Sequence, residues 1–214
     1  MAITFISSTK TAANSGTSLS LSVPIGTLNG HVLIAAVGIG VVETITPPAG
    51  WTSLVAQSGT NINAQIWYRI ASSEPASYAF SWTTSTRYGA GMLAYSGVDT
   101  STPSDCTPSA AGDTGIAPSI TTTTNGATAI VFGWSRGDIV FVPVGWTERV
   151  YDSGSYRVRF VAADKIMAIA GATGNATIYV QTGTVSMQIA LRPVLAASVA
   201  RRTIFAPAFP GVFG

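Results

Sequence analysis

The string PAGWTSLV, Pro48 to Val55, returns as PVGWTERV, Pro143 to Val150, about half a chain length later. A Pro-x-Gly-Trp-Thr string neither cradles a phosphate, ligates a metal nor activates a nucleophile, so its value lies in shape. Other landmarks keep the same spacing. Asn29-Gly30 and Asn125-Gly126 each precede an apolar run and stand 96 residues apart (125 − 29 = 96). Pro48 and Pro143 are 95 apart (143 − 48 = 95), and Arg69-Ile70 and Lys165-Ile166 are 96 apart (165 − 69 = 96). Ala94 and Ala190 repeat the interval of 96 (190 − 94 = 96). A nearly constant offset over four landmarks implies two pseudo-repeats, roughly residues 15–97 and 115–193, joined by a linking loop over 98–114.

Within each half the hydrophobic rhythm is that of strands. Leu19, Leu21 and Val23 alternate with Ser18, Ser20 and Ser22, the period-two pattern of a strand with one wet face. Val32 to Val42 is apolar without alternation, as for a strand buried on both faces. Further strands are predicted over 51–57, 61–71, 77–83 and 88–96, then over 120–124, 127–135, 146–152, 155–163, 176–182 and 185–192. The stretch GVDTSTPSDCTPSAAGDTG has no apolar period and reads as a long loop. No amphipathic helix is visible. Thr, Val, Ile and aromatic residues suit a pleated, half-buried surface.

Each half is marginal as an independent β domain. Two halves facing one another give an all-β, two-sheet antiparallel sandwich, jelly-roll-like, whose inner faces share one core over residues 1–193. In that fold Pro48, Gly50 and Trp51, and again Pro143, Gly145 and Trp146, are expected to form equivalent structural corners. Proline sets φ, glycine permits the bend, and tryptophan lays an apolar ring over the end of a sheet.

After Pro193 the character changes. VLAASVARRTIFAPAFPGVFG carries Ile204, Phe205, Phe209, Val212 and Phe213 with almost no polar cover beyond Arg201 and Arg202. Solvated linkers lack phenylalanine. Residues 194–214 therefore read as an extended apolar arm that lies in a groove, on its own domain or on a neighbour.

Charge is sparse. Eleven Lys and Arg stand against nine Asp and Glu in 214 residues, a net +2, and mean hydropathy is +0.39. Long-range steering is weak and there is no basic stripe for nucleic acid. The longest apolar run is too short and glycine-interrupted to cross a bilayer as a helix. MAITFISSTK has no basic flank followed by an apolar stretch, so no signal peptide is expected. So few charges on a protein of this kind point to surfaces covered by other protein.

Candidate chemistry is thin. Cys106 has no partner cysteine, and His31 is the one histidine available to activate it. His31 follows Asn29-Gly30 and reads as a strand-end residue. Asp99, Asp105 and Asp113 lack the dense oxygen spacing of a calcium loop. Glu43, Glu74, Asp138, Glu148, Asp152 and Asp164 offer carboxylate pairs for glycoside hydrolysis, none marked by a motif. Trp67, Tyr68, Trp82 and Tyr88 are the aromatics available to stack on a sugar ring. No catalytic residue, cofactor or metal is expected.

PAGWT, followed by IWYRIASSEPASYAFSW and LAYSGVD, resembles a loosely defined set of phage virion proteins, β-sandwich or jelly-roll components of heads and tails. The resemblance runs approximately from Ser7 to Arg192. Val144 replaces alanine in the second copy, and VAADKIM stands where WYRIASS stood. The resemblance implies a structural protein of a virus particle with no catalytic residues to carry over. The expected role is capsid decoration or cementing of a bacteriophage head, with the major capsid protein or other virion proteins as partners. A homo-oligomer, such as a trimer, is expected, and Arg201, Arg202, Ile204, Phe205, Phe209, Val212 and Phe213 are the expected assembly contacts. A tail component uses the same physics. The alternative is a carbohydrate-binding module of a tail fibre or surface protein.

Overall fold

The computed structural model describes residues 1–137, 142–152, 158–178 and 183–195. Among them are strands β1 (Thr4–Ala13), β2 (Ser18–Ser22), β3 (Val32–Ile39), β4 (Thr52–Ser58), β5 (Asn63–Ile70), β6 (Ser77–Ser81) and β7 (Tyr88–Ser96). The second half adds β8 (Ser109–Gly112), β9 (Ile116–Ala117), β10 (Ala127–Ser135), β11 (Thr147–Tyr151), β12 (Arg159–Met167), β13 (Ala176–Thr177) and β14 (Thr184–Leu191). No helix occurs among the described residues.

All pairings between these strands are antiparallel, in two five-stranded and two two-stranded sheets. The first large sheet runs β1-β7-β3-β5-β4, and the second, read from its opposite edge, runs β8-β14-β10-β12-β11. β2 pairs with β6, and β9 with β13. The large sheets face each other across a core of Ile34, Ala36, Leu93 and Tyr95 from one side and Phe132, Trp134, Phe160 and Met187 from the other. The β2–β6 ribbon covers the outer face of the first sheet through Leu19, Leu21, Tyr78 and Phe80, packed on Leu33, Val37 and Trp67. The β9–β13 ribbon covers the second more thinly, with Ala117, Ala176 and Ile178 on Val131 and Val161. The resulting all-β, sandwich-like stack explains why β3 and β10 read as unbroken apolar runs: each is buried on both faces.

Packing across the centre is unequal. A Cβ on Gly38 would lie 2.2 Å from Trp134 Cδ1, and one on Gly91 would lie 2.3 Å from Phe160 Cε1. The second sheet supplies large rings and the first supplies the hollows. Trp134 also donates from Nε1 to the Gly89 carbonyl at 3.0 Å, satisfying its polar atom inside the core.

The cross-sheet contacts orient the stack. Gly38 and Trp134 meet near the ends of β3 and β10, while Ser8 donates to the Arg149 carbonyl and Lys10 to that of Tyr151. β3 and β10 therefore begin at the same pole. That pole gathers both Asn-Gly turns and both Pro-x-Gly-Trp turns. There too the Met1 ammonium donates to the Val194 carbonyl at 2.6 Å.

Three segments differ from expectation. β1 is a ten-residue strand that the sequence does not announce; it sits at an edge with one face only partly buried, and a bulge between Phe5 and Ser7 breaks its alternation. Residues 109–112, placed in the linking loop, form β8 on the edge of the second sheet beside β14. Its Ser-Ala-Ala-Gly sequence has no hydrophobic signal because the strand is held through its backbone. Residues 120–124, expected as a strand, make only the isolated bridge Thr121–Ala172, since Asp105 captures the amides of Thr123 and Thr124.

The Gly38–Trp134 contact sets a stability test. Gly38→Ala is expected to cost about 1–3 kcal/mol by overpacking, and Trp134→Ala about 3–5 kcal/mol by leaving a cavity. In denaturant unfolding, Gly38→Ala combined with Trp134→Phe should cost less than the two single changes together. A neutral Gly38→Ala would remove the proposed interlock.

Candidate functional site

The repeated turns at the shared pole are built alike and finished differently. Gly50 and Gly145 have φ of +85° and +83°, the left-handed conformation that glycine adopts without strain. Each turn feeds an edge strand, β4 or β11, and each of these carries a bulge at the matching place, between Ser53 and Val55 and between Glu148 and Val150.

In the first turn Trp51 is 8% exposed and packs edge-on to Tyr78 at 5.2 Å and Phe80 at 5.7 Å. It lies on the outer face of the first sheet. Its Nε1 is buried with no hydrogen-bond partner, so the ring is held by packing alone. Arg69 donates from Nη1 to the Ala49 carbonyl at 3.4 Å and from Nε to Glu74 at 3.0 Å, and its guanidinium lies 5.4 Å from the Tyr78 ring centre. Glu74 also accepts from the Ser72 amide at 2.8 Å and from the Tyr78 hydroxyl. Burial raises the Glu74 pKa, but the donors from Tyr78, Ser72 and Arg69 outweigh it and hold the carboxyl below the usual range. Burial first, then the Glu74 hydrogen bond, pushes Tyr78 up to about 12.

The second turn lacks this clamp. Lys165 stands where Arg69 stood, and Ala170 occurs 96 residues after Glu74 (170 − 74 = 96). Lys165 lies 4.7 Å above the Trp146 ring and donates to the Thr173 carbonyl at 2.5 Å; burial lowers its pKa. Trp146 is only half-buried. It borders an open cleft of about 530 Å³ with Lys165, Thr173, Asn175 and Thr177. This cleft sets a half-buried tryptophan beside polar side chains, and the sequence signals it only as a second copy of the Trp motif.

The other candidates fall into structural roles. His31 accepts the Leu28 amide through Nδ1 at 3.1 Å. Cys106 is half-buried, and burial followed by the Asp105 charge raises its thiol to about 11, which leaves it a poor nucleophile. Asp99 accepts the Ser101 amide at 2.9 Å. Asp105 is buried, accepts the Thr123 amide at 2.6 Å and lies 3.5 Å from Arg192. Asp113 bridges the halves, accepting from Thr60 at 2.7 Å and from the Gly183 amide at 2.9 Å. Among the described residues no group of three His, Cys, Asp or Glu side chains is placed to hold a metal ion. Trp67 and Trp82 are buried, and Trp82 donates from Nε1 to the Gly16 carbonyl at 2.9 Å; Tyr68 and Tyr88 are half-buried.

Of the carboxylates, Glu43 binds the Thr83 and Thr84 amides at the far pole, and Asp164 forms a network not anticipated from sequence. It accepts from the Tyr95 hydroxyl at 2.9 Å and from Arg149 at 2.8 Å, pinning the two large sheets together. Burial, and then the Asp164 charge, raises Tyr95 well above its ordinary value. A single acid in the apolar run of β12 is the one sequence sign of it. Lys10 lies 3.8 Å from Asp152 across the same edge. Asp138 and the expected contacts Arg201, Arg202, Ile204, Phe205, Phe209, Val212 and Phe213 lie outside the described residues.

Comparison with protein-family models, curated proteins and solved structures finds no match.

The depressed carboxylates fix the sign of the pH response. Glu74 and Asp113, whose pKa is lowered chiefly by the Thr60 hydroxyl, contribute stability that is present above the unfolded carboxylate range and lost as pH falls through their folded values. Stability should therefore decline on acidification below about pH 4.5. Glu74→Gln should cost about 1–3 kcal/mol at pH 7 and flatten that acid limb in chemical-denaturation profiles. An unchanged limb in this variant would mean that the corner clamp contributes nothing.

Proposed function

We propose that the protein is a structural component of a bacteriophage particle, a head decoration or cement protein that stabilises the capsid through broad surface contacts and its C-terminal arm. The observation that carries this reading is the concentration of exposed apolar side chains at one pole of a charge-poor β body. Surfaces of that kind on a folded protein are built to be covered. The phage-module resemblance of PAGWT and the segments after it supports the same reading. Many weak contacts, reinforced by a tethered arm, suit a protein that must hold a lattice together.

We further read the chain as an internal duplication. Its support is the common strand order of the two large sheets, the matched glycine conformations and the matched bulges. It makes the central interlock a divergence of equivalent positions, since Gly38 and Trp134 are 96 residues apart (134 − 38 = 96), as are Ala64 and Phe160 (160 − 64 = 96). We prefer a duplicated sandwich to a jelly roll because each large sheet is drawn from one half of the chain.

Mass-spectrometric counting of the protein in purified particles tests the function. Hundreds of copies are expected for a head component and only a few or tens for a tail component. Removal of residues 196–214 should abolish particle binding. Absence from particles would end the virion reading. The second reading, a carbohydrate-binding module, is favoured by the Trp146 cleft. It predicts glycan-array binding that Trp146→Ala weakens at least tenfold.

A further inference from the structure

Among the described residues ten large hydrophobic side chains are exposed. Eight of the ten lie at the pole where β3 and β10 begin; the exceptions are Val42, which follows β3, and Ile116, which opens β9. The eight come from five separate parts of the chain. Ile25 and Leu28 precede β3, Ile166 lies near the end of β12 with Ile169 just after it, Val194 and Leu195 follow β14, Met1 precedes β1, and Val144 is in the second Pro-x-Gly-Trp turn. Ile25 is 88% exposed, Ile169 77% and Leu195 67%. Charged groups near them are engaged: Arg69 pairs with Glu74, Lys165 lies over Trp146, Arg192 lies 3.5 Å from Asp105, and the Met1 ammonium donates to the Val194 carbonyl. Four of the eight, Met1, Ile166, Val194 and Leu195, border a hollow of about 260 Å³ whose walls also include Ile3 and Pro193.

Leu195 lines this hollow, and residues 196–214, which follow it in sequence, carry Ile204, Phe205, Phe209, Val212 and Phe213. Their chemistry matches the pole, but their spacing does not favour their own copy. The stretch Ala196–Thr203 contains no Gly, Pro, Asn or Asp, and Ser198 is its one residue of the turn-favouring kind. The turn-forming Pro207, Pro210 and Gly211 come only after the first phenylalanine. Ile204 stands nine positions after Leu195 (204 − 195 = 9), enough to carry the apolar block up to about 30 Å away from the rim.

We propose that this pole is the receiving site for residues 196–214 of a second copy of the chain, whose phenylalanines fill the hollow and cover Ile166 and Ile169. The assignment rests on the assembly reading above and names the surface that the arm engages. Arm exchange of this kind links copies without requiring a large flat interface, and tethering raises the effective concentration at each further contact.

The test uses the full chain with Cys106→Ser. Ile169→Cys combined with Phe209→Cys should form an intermolecular disulfide under mild oxidation, seen as a covalent dimer or ladder on a non-reducing gel. Val42→Cys with Phe209→Cys, at the far pole, should not. The intact chain should also associate at least tenfold more weakly in sedimentation when Ile166→Asp and Ile169→Asp are introduced. A bond found only within one chain, no bond, or equal linking through position 42 overturns the proposal. High copy number in particles without this cross-link would sink the pole assignment alone. The cross-link in a protein absent from particles would leave the assignment standing and remove the virion reading.

Discussion

The fold depends on aromatic rings of one sheet sinking into glycine-lined hollows of the other. Phe132, Trp134 and Phe160 stack within 6.4 Å of one another, and Gly38 and Gly91 give them room. Protein interiors are close-packed, so a ridge on one layer requires a trough on the next. This pairing lets two sheets of similar outline approach closely, and it makes them non-interchangeable. The outer layers reverse the arrangement: Trp67, Phe80 and Trp51 fill the first half's outer cluster, whereas the second half's is smaller and built largely from Ala117, Ala163, Ala176 and Ile178.

The same inequality explains why the two Pro-x-Gly-Trp turns serve different ends. In the first half a large outer cluster draws Trp51 inward, and Arg69 with Glu74 seals the turn. In the second half the thinner cover leaves Trp146 half-buried beside an open cleft, with Lys165 resting on its ring. A nearly identical local string thus gives a closed corner in one place and a recess in the other. Local sequence sets the backbone turn, and the layer beneath it decides what the ring does.

Polar groups act as fasteners between layers. Asp164 joins Tyr95 and Arg149 across the central layer, Asp113 joins the turn after β4 to the start of β14, and Asp105 holds the segment before β10. Each of these three carboxylates has donors close by, as burial of charge demands. Of the acids that appear as candidate catalytic pairs in the sequence, Asp164 is spent in this way and Glu74 on the clamp of the first turn.

Much of the strand pattern was legible because it rests on local periodicity. β2 and β6 alternate cleanly, β3 and β10 are unbroken apolar runs, and β7 and β10 occupy the predicted residues 88–96 and 127–135. The all-β class follows from those runs and from the scarcity of helix-forming stretches. β1 and β8 were not legible because edge strands are held by backbone pairing with β7 and β14, which leaves little trace in side-chain choice. Nor could the sequence alone place its exposed apolar residues. Ile25, Ile166 and Leu195 are far apart in the chain, and only the parallel alignment of the two sheets' strand directions brings them to one pole. Periodicity is a property of neighbours along the chain, whereas a surface is made by residues that only tertiary packing makes neighbours.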